Sequence, residues 1–145
     1  MILQTDTRLN ESINTSGCYL MSALFFLNKY TGLMLSCSII NYLHIVLQGV
    51  IGWDNNPCIN DNCYISDITK IFNYLDFNVT YTGVHESVDY ICKPNQFEIL
   101  CLKHISRNIY HFVCGDGNGN IMYNSMGINN PDYKLYSKRI FIINK

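Results

Sequence analysis

Charge is scarce in this chain. Asp, Glu, Lys and Arg make up 14% of its 145 residues and leave a net charge of −1. No basic stripe and no interleaving of basic with aromatic residues is visible, which argues against a nucleic-acid partner. No apolar run approaches the roughly 18 residues of a membrane span, and the longest, Ala23 to Leu27, is closed by Asn28 and Lys29. The opening Met1-Ile2-Leu3-Gln4-Thr5-Asp6 lacks the basic region and long apolar stretch of a secretory signal. These absences point to a soluble, cytoplasmic protein with no membrane partner. Repeats, linkers and low-complexity tracts are also missing, so one domain over residues 1–145 is expected, with a core that needs no metal or disulfide.

What is present in quantity is apolar surface, at 48% of residues, and cysteine, at seven. An odd count cannot pair fully within one chain, and the absence of a signal favours a reducing compartment and free thiols. Cys37, Cys92, Cys101 and Cys114 stand among apolar neighbours and read as small buried hydrophobes. Cys58 and Cys63 have C-x4-C spacing but no second close pair to complete a zinc site, so they read as two loop thiols. No metal and no cofactor is implied.

Residues 1–16 read as an irregular arm rich in Asn, Ser and Thr. Ser16 is a plausible cap for a helix from Gly17 to Tyr30, with Gly32 at its left-handed end. Ser36 caps a second helix over 36–48, with Ile39, Ile40, Leu43, Val46 and Leu47 at helical spacing. A loop over 52–64 follows. Ser66 or Asp67 then caps a third helix through Leu75. Beyond that the period changes to strands: 77–82, the nearly continuous apolar run 97–102, then 109–114 and 120–124 joined by the glycine-rich turn Gly115-Asp116-Gly117-Asn118-Gly119, and finally 138–143. Helices first and strands second make an α+β fold, with helices packed on one side of an antiparallel sheet.

Cys18 opens the first long helix, where the helix N-terminus or a protonated His neighbour would lower a thiol pKa and make it a nucleophile. Gly17 before it leaves room for a substrate backbone. His111 heads a strand and is the best-placed of four histidines. His104 falls beside a turn, His44 inside a helix and His85 in a polar loop. Asn124 lies on the strand after the hairpin, where its amide oxygen can accept from Nδ1–H of His111 and orient the ring; Asp116 is the alternative orienter. Gln4 can add a side-chain N–H to an oxyanion site built on the Cys18 backbone N–H.

These stretches, Leu3-Gln4-Thr5-Asp6, Ser16-Gly17-Cys18-Tyr19-Leu20-Met21-Ser22, His111-Phe112-Val113 and Tyr123-Asn124-Ser125, occur in an order that resembles the papain-like cysteine peptidase superfamily. They are most similar to small bacterial and phage proteins related to bacteriocin-processing, double-glycine peptidases. The resemblance implies a papain-like fold, Cys18 as nucleophile, His111 as general base and then acid, Asn124 as orienter and Gln4 as oxyanion donor. It further implies a hydrolase acting on a peptide, protein or peptidoglycan-peptide amide, in a phage or mobile-element setting. Two other readings stay open: a catalytically inactive papain-like module that docks on a host protein, and a small structural phage protein. Loops 52–64 and 83–96 are expected to shape the cleft, and Trp53, the single tryptophan, reads as a half-buried loop anchor.

Overall fold

The computed structural model describes residues 1–82 and 87–144. Four helices precede five strands. Helix α2 spans Cys18–Thr31, and Gly32 ends it at φ 76°, its N–H donating to Asn28 O at 2.9 Å. Helix α3 spans Cys37–Leu47, and the Ser36 hydroxyl accepts the Ile39 N–H at 3.2 Å. Of the two candidate caps for α4, Ile68–Tyr74, Asp67 holds the role by accepting the Lys70 N–H at 3.1 Å. Each of these ends is a local device, satisfied by a side chain or glycine within four residues.

The arm departs from the sequence expectation. Residues Glu11–Ser16 form a helix, α1, so Ser16 closes α1 and Gly17 occupies the cap position of α2. Six residues are too few to hold a helix by their own hydrogen bonds. Here α1 is held from outside: Ile13 is fully buried, Leu9 nearly so, and the Asn10 N–H donates to the Asn41 side chain of α3 at 2.7 Å.

The strands are β1 (Val79–Tyr81), β2 (Gln96–His104), β3 (Tyr110–Gly115), β4 (Ile121–Tyr123) and β5 (Tyr133–Ile143), all antiparallel in the order β1-β5-β2-β3-β4. Strand β5 begins five residues earlier than the sequence suggests, because Tyr133–Ser137 pair with the end of β2 through a register shift at Cys101/Leu102. Phe26 of α2 and Phe72 of α4 pack on Phe97 and Phe141 of the sheet, with ring centroids 4.4–5.8 Å apart. Each such burial stabilises by roughly 2 kcal/mol. The opposite face carries a smaller cluster of Leu100, Leu102 and Val113, partly covered by Ile121, Tyr133 and Leu135. The architecture is thus α+β with the helices on the Phe97 side. Among the described residues, no helix is long and apolar enough to cross a membrane.

The apolar run 97–102 conceals a charge. Glu98 is fully buried, with Oε1 3.1 Å from Nζ of Lys138, itself buried on β5. Its Oε2 accepts the N–H groups of Gly117 at 3.1 Å and Gly119 at 2.9 Å, while Lys138 also donates to Tyr90 O at 2.7 Å. The β3–β4 hairpin therefore wraps a carboxylate. Gly117 and Gly119 sit at φ 94° and 87°, and a Cβ on Gly115 would collide with the Glu98 carboxylate.

Candidate active site

The site is built where α2 meets β3. The Cys18 Sγ, partly exposed, accepts the Phe112 N–H at 3.5 Å. Tyr19 stacks on Phe112 with centroids 4.3 Å apart, and the Ser22 hydroxyl contacts both Cys18 O (2.8 Å) and Phe112 O (3.3 Å). One turn further, the Cys114 thiol donates to Ser22 O at 3.2 Å. The first turn of the helix is therefore fastened to the strand that carries His111.

Gly17 serves this junction, in contrast to the substrate-facing role expected of it. A Cβ there would lie 2.5 Å from Ile13 O and 2.8 Å from its Cγ2, so only glycine lets α1 run directly into α2. Gly17→Ala is expected to cost about 1–3 kcal/mol through this overpacking. It should also lower the reactivity of Cys18, because α2 must shift; urea midpoints and thiol-labelling rates of the two proteins check both effects.

His111 is half-buried, and its Nε2 lies 2.8 Å from Asn124 Oδ1. The amide orientation is set by the rest of its network: Nδ2 donates to Ile128 O and Asn129 Oδ1, both at 3.1 Å, and Oδ1 also accepts the Met126 N–H at 3.0 Å. An accepting Oδ1 requires the proton on Nε2, which leaves the Nδ1 lone pair free to act as a base. The bonded nitrogen is thus Nε2, where the sequence reading placed Nδ1. Asp116 takes no part; its carboxylate accepts the N–H groups of Asn118 and Asn120 within the turn.

Burial pushes the Cys18 thiol above its ordinary pKa, although the N–H groups of Phe112 and Tyr19 draw it back. Burial also lowers His111, partly offset by its bond to Asn124. Burial therefore acts on both groups against their charged forms.

Cys18, His111 and Asn124 line one cleft of about 930 Å3. Its other walls come from Asn62–Ile65 and from the segment between Met126 and Tyr133, together with Arg139 of β5. The first of these lies at the end of the expected 52–64 loop. Of the 83–96 loop, the described residues 87–96 do not contribute, and His85 lies outside the described residues. Trp53 is 80% exposed and absent from the cleft; its indole N–H donates to Ser66 O at 3.2 Å.

Gln4 is held behind the site. Its Nε2 donates to Asn14 O at 3.1 Å, its Oε1 accepts from the Ser125 hydroxyl at 2.7 Å, and it does not line the cleft. In this arrangement it ties the N-terminal arm to the residue after Asn124. His44 is buried, with Nε2 3.1 Å from Asn60 O and 3.5 Å from the Cys63 thiol, and the Nδ1 of His104 accepts the Ser106 and Arg107 N–H groups of a turn. Cys58 and Cys63 lie in the loop, as expected, with both thiols buried, whereas Cys92 is only partly buried and sits outside any helix or strand. Among the described residues no group of three His, Cys, Asp or Glu side chains is arranged to hold a metal. Sequence reading missed Arg139; the available signal was a lone charge at a helix-facing position of a strand otherwise filled there by Phe141.

Residues 1–143 match the model of one protein family, described as "Protein of unknown function, DUF261". No curated protein and no solved structure matches the chain.

Proposed function

The chain belongs to the DUF261 family, and from that starting point we propose that it is a cysteine-dependent hydrolase of a peptide or peptide-like amide bond, with a papain-like arrangement of Cys18, His111 and Asn124. The observation that carries this reading is the convergence of a helix-initial thiol and an Asn-oriented imidazole on one cleft. Cys18 gives its proton to Nδ1 of His111 as Sγ attacks the carbonyl carbon. The Cys18 backbone N–H, at the start of a 14-residue helix, faces the developing oxyanion. His111 then protonates the leaving nitrogen, the C–N bond breaks, and a thioester remains on Cys18. Water, deprotonated by the same imidazole, hydrolyses the thioester and the proton returns to sulfur.

Because burial lowers His111, the base is unprotonated down to a lower pH than a free imidazole. The acid limb of the reaction should therefore have its midpoint below pH 6.5. Asn124→Ala removes the bond that raises His111, so the midpoint should move further down. The test is reaction with a peptidyl vinyl sulfone from pH 5 to 9, mapped by mass spectrometry over all seven thiols. Modification confined to Cys18, and slowed about a hundredfold by His111→Ala, is the expected result. Cys18 reacting no faster than the other thiols, and unaffected by His111→Ala, would overturn the proposal and leave the non-catalytic docking module in its place.

A further inference from the structure

Arg139 stands next to the candidate pair without being part of it. Its guanidinium carbon lies 4.8 Å from the centroid of Phe112, the residue after His111, and 5.6 Å from that of Tyr19, the residue after Cys18. Its Nη1 is buried and has no hydrogen-bond partner. Neither of the two ion pairs among the described residues includes it. The phenols of Tyr19 and Tyr81 beside it are pushed up by burial even against its charge, so they remain neutral neighbours. Among the described residues that line the cleft, Arg139 is the one fixed charge; the remainder are apolar or neutral, including Leu102, Ile109, Ile128 and Tyr133.

Arg139 lines the cleft with no ion-pair partner among the described residues, which leaves its charge to be answered by a bound anion. Contact with the Phe112 and Tyr19 rings restrains the guanidinium in advance, and its fixed fork of donors favours a bidentate planar anion over a point contact. A cleft with one sign of charge and apolar walls also concentrates the opposite charge.

We propose that Arg139 is a carboxylate-binding subsite, and that the molecule bound in the cleft carries a carboxylate close to the group presented to Cys18. As a statement about substrate, this rests on the hydrolase reading above; as a statement about binding, it stands without catalysis. The carboxylate is either the C-terminus of a peptide or the side chain of an Asp or Glu residue. The first would make the reaction an exopeptidase cleavage and the second an acidic-site endopeptidase cleavage.

Two measurements test it. In the first, Cys18 is alkylated by iodoacetate and by iodoacetamide, and the ratio of rates is compared with that of free cysteine. The ratio should be raised roughly tenfold or more, should return to the free-cysteine value in Arg139→Gln, and should be partly kept in Arg139→Lys. Circular dichroism melts confirm that each variant is folded.

In the second, the Cys18→Ala protein is titrated by NMR with N-acetylglycine, N-acetylglycinamide and N-acetylaspartyl amide. Tighter binding of N-acetylglycine identifies a terminal carboxylate, and tighter binding of the aspartyl amide identifies a side-chain carboxylate. In either case the gain over N-acetylglycinamide should vanish in Arg139→Gln. Equal binding of all three, with an unraised alkylation ratio, overturns the subsite. If Cys18 reacts with the vinyl sulfone while the subsite fails, the substrate is neutral. If the carboxylates bind while the vinyl sulfone fails, the cleft binds anions without cleaving.

Discussion

Glu98→Ala is expected to lower stability by about 3–5 kcal/mol, the cost of leaving a buried charge without its partner. The variant strands the Lys138 ammonium, which keeps only the Tyr90 carbonyl. It also removes the acceptor for the Gly117 and Gly119 N–H groups. Against a typical total of roughly 5–15 kcal/mol, such a loss brings the protein close to unfolding at room temperature. Urea midpoints and thermal melts measure it. Glu98→Leu combined with Lys138→Met should recover much of the loss, because a packed apolar pair carries no desolvation cost. A single alanine variant that melts within a degree or two of wild type would mean that water already reaches the carboxylate.

Cys18→Ala should abolish turnover and leave the fold standing. The side chain is small, and the contact it accepts from Phe112 N–H is long, at 3.5 Å. The stability change should stay within about 1 kcal/mol, whereas the proposed hydrolysis would lose its nucleophile. Cys114→Ala is the informative control. That thiol is fully buried in the same helix–strand seam and donates to Ser22 O, so its loss should reduce stability and spare the chemistry. His111→Ala should leave Cys18 in place yet slow hydrolysis by about a hundredfold or more. Each rate is read with the substrate that the carboxylate titrations select. Undiminished turnover in Cys18→Ala would remove the thiol from the mechanism.

What could be read from the chain was what it encodes locally. Ser36, Asp67 and Gly32 end helices through bonds to residues three or four positions away, so their signals lie in short windows. The same holds for the hairpin that brings Asn124 back to His111, and Cys18 was visible because it stands at the start of a strongly apolar helix. Features set at a distance were not legible. Helix α1 exists because Ile13 and Asn10 find partners in the core and on α3. The early start of β5 depends on a register shift in β2. Glu98 looks like an interruption of an apolar strand until the hairpin amides and Lys138, 19 to 40 residues away, are folded around it. The inward direction of Arg139 and the commitment of Gln4 to Asn14 and Ser125 belong to the same class. The burial of Cys18, which acts to raise its thiol pKa, belongs here too: a helix end is visible in sequence, but the depth at which it is buried is not.

The sheet's two outermost strands are three residues each. The long strands β2 and β5, which hold the apolar core, both lie inside the sheet, paired on each flank. A second chain arriving at either border would find only a few free N–H and C=O groups to pair with, too few to template an added strand. For a chain with so little charge to keep its copies apart, such short margins offer little edge to extend, and lengthening β1 or β4 is expected to raise the tendency of copies to add strands to one another.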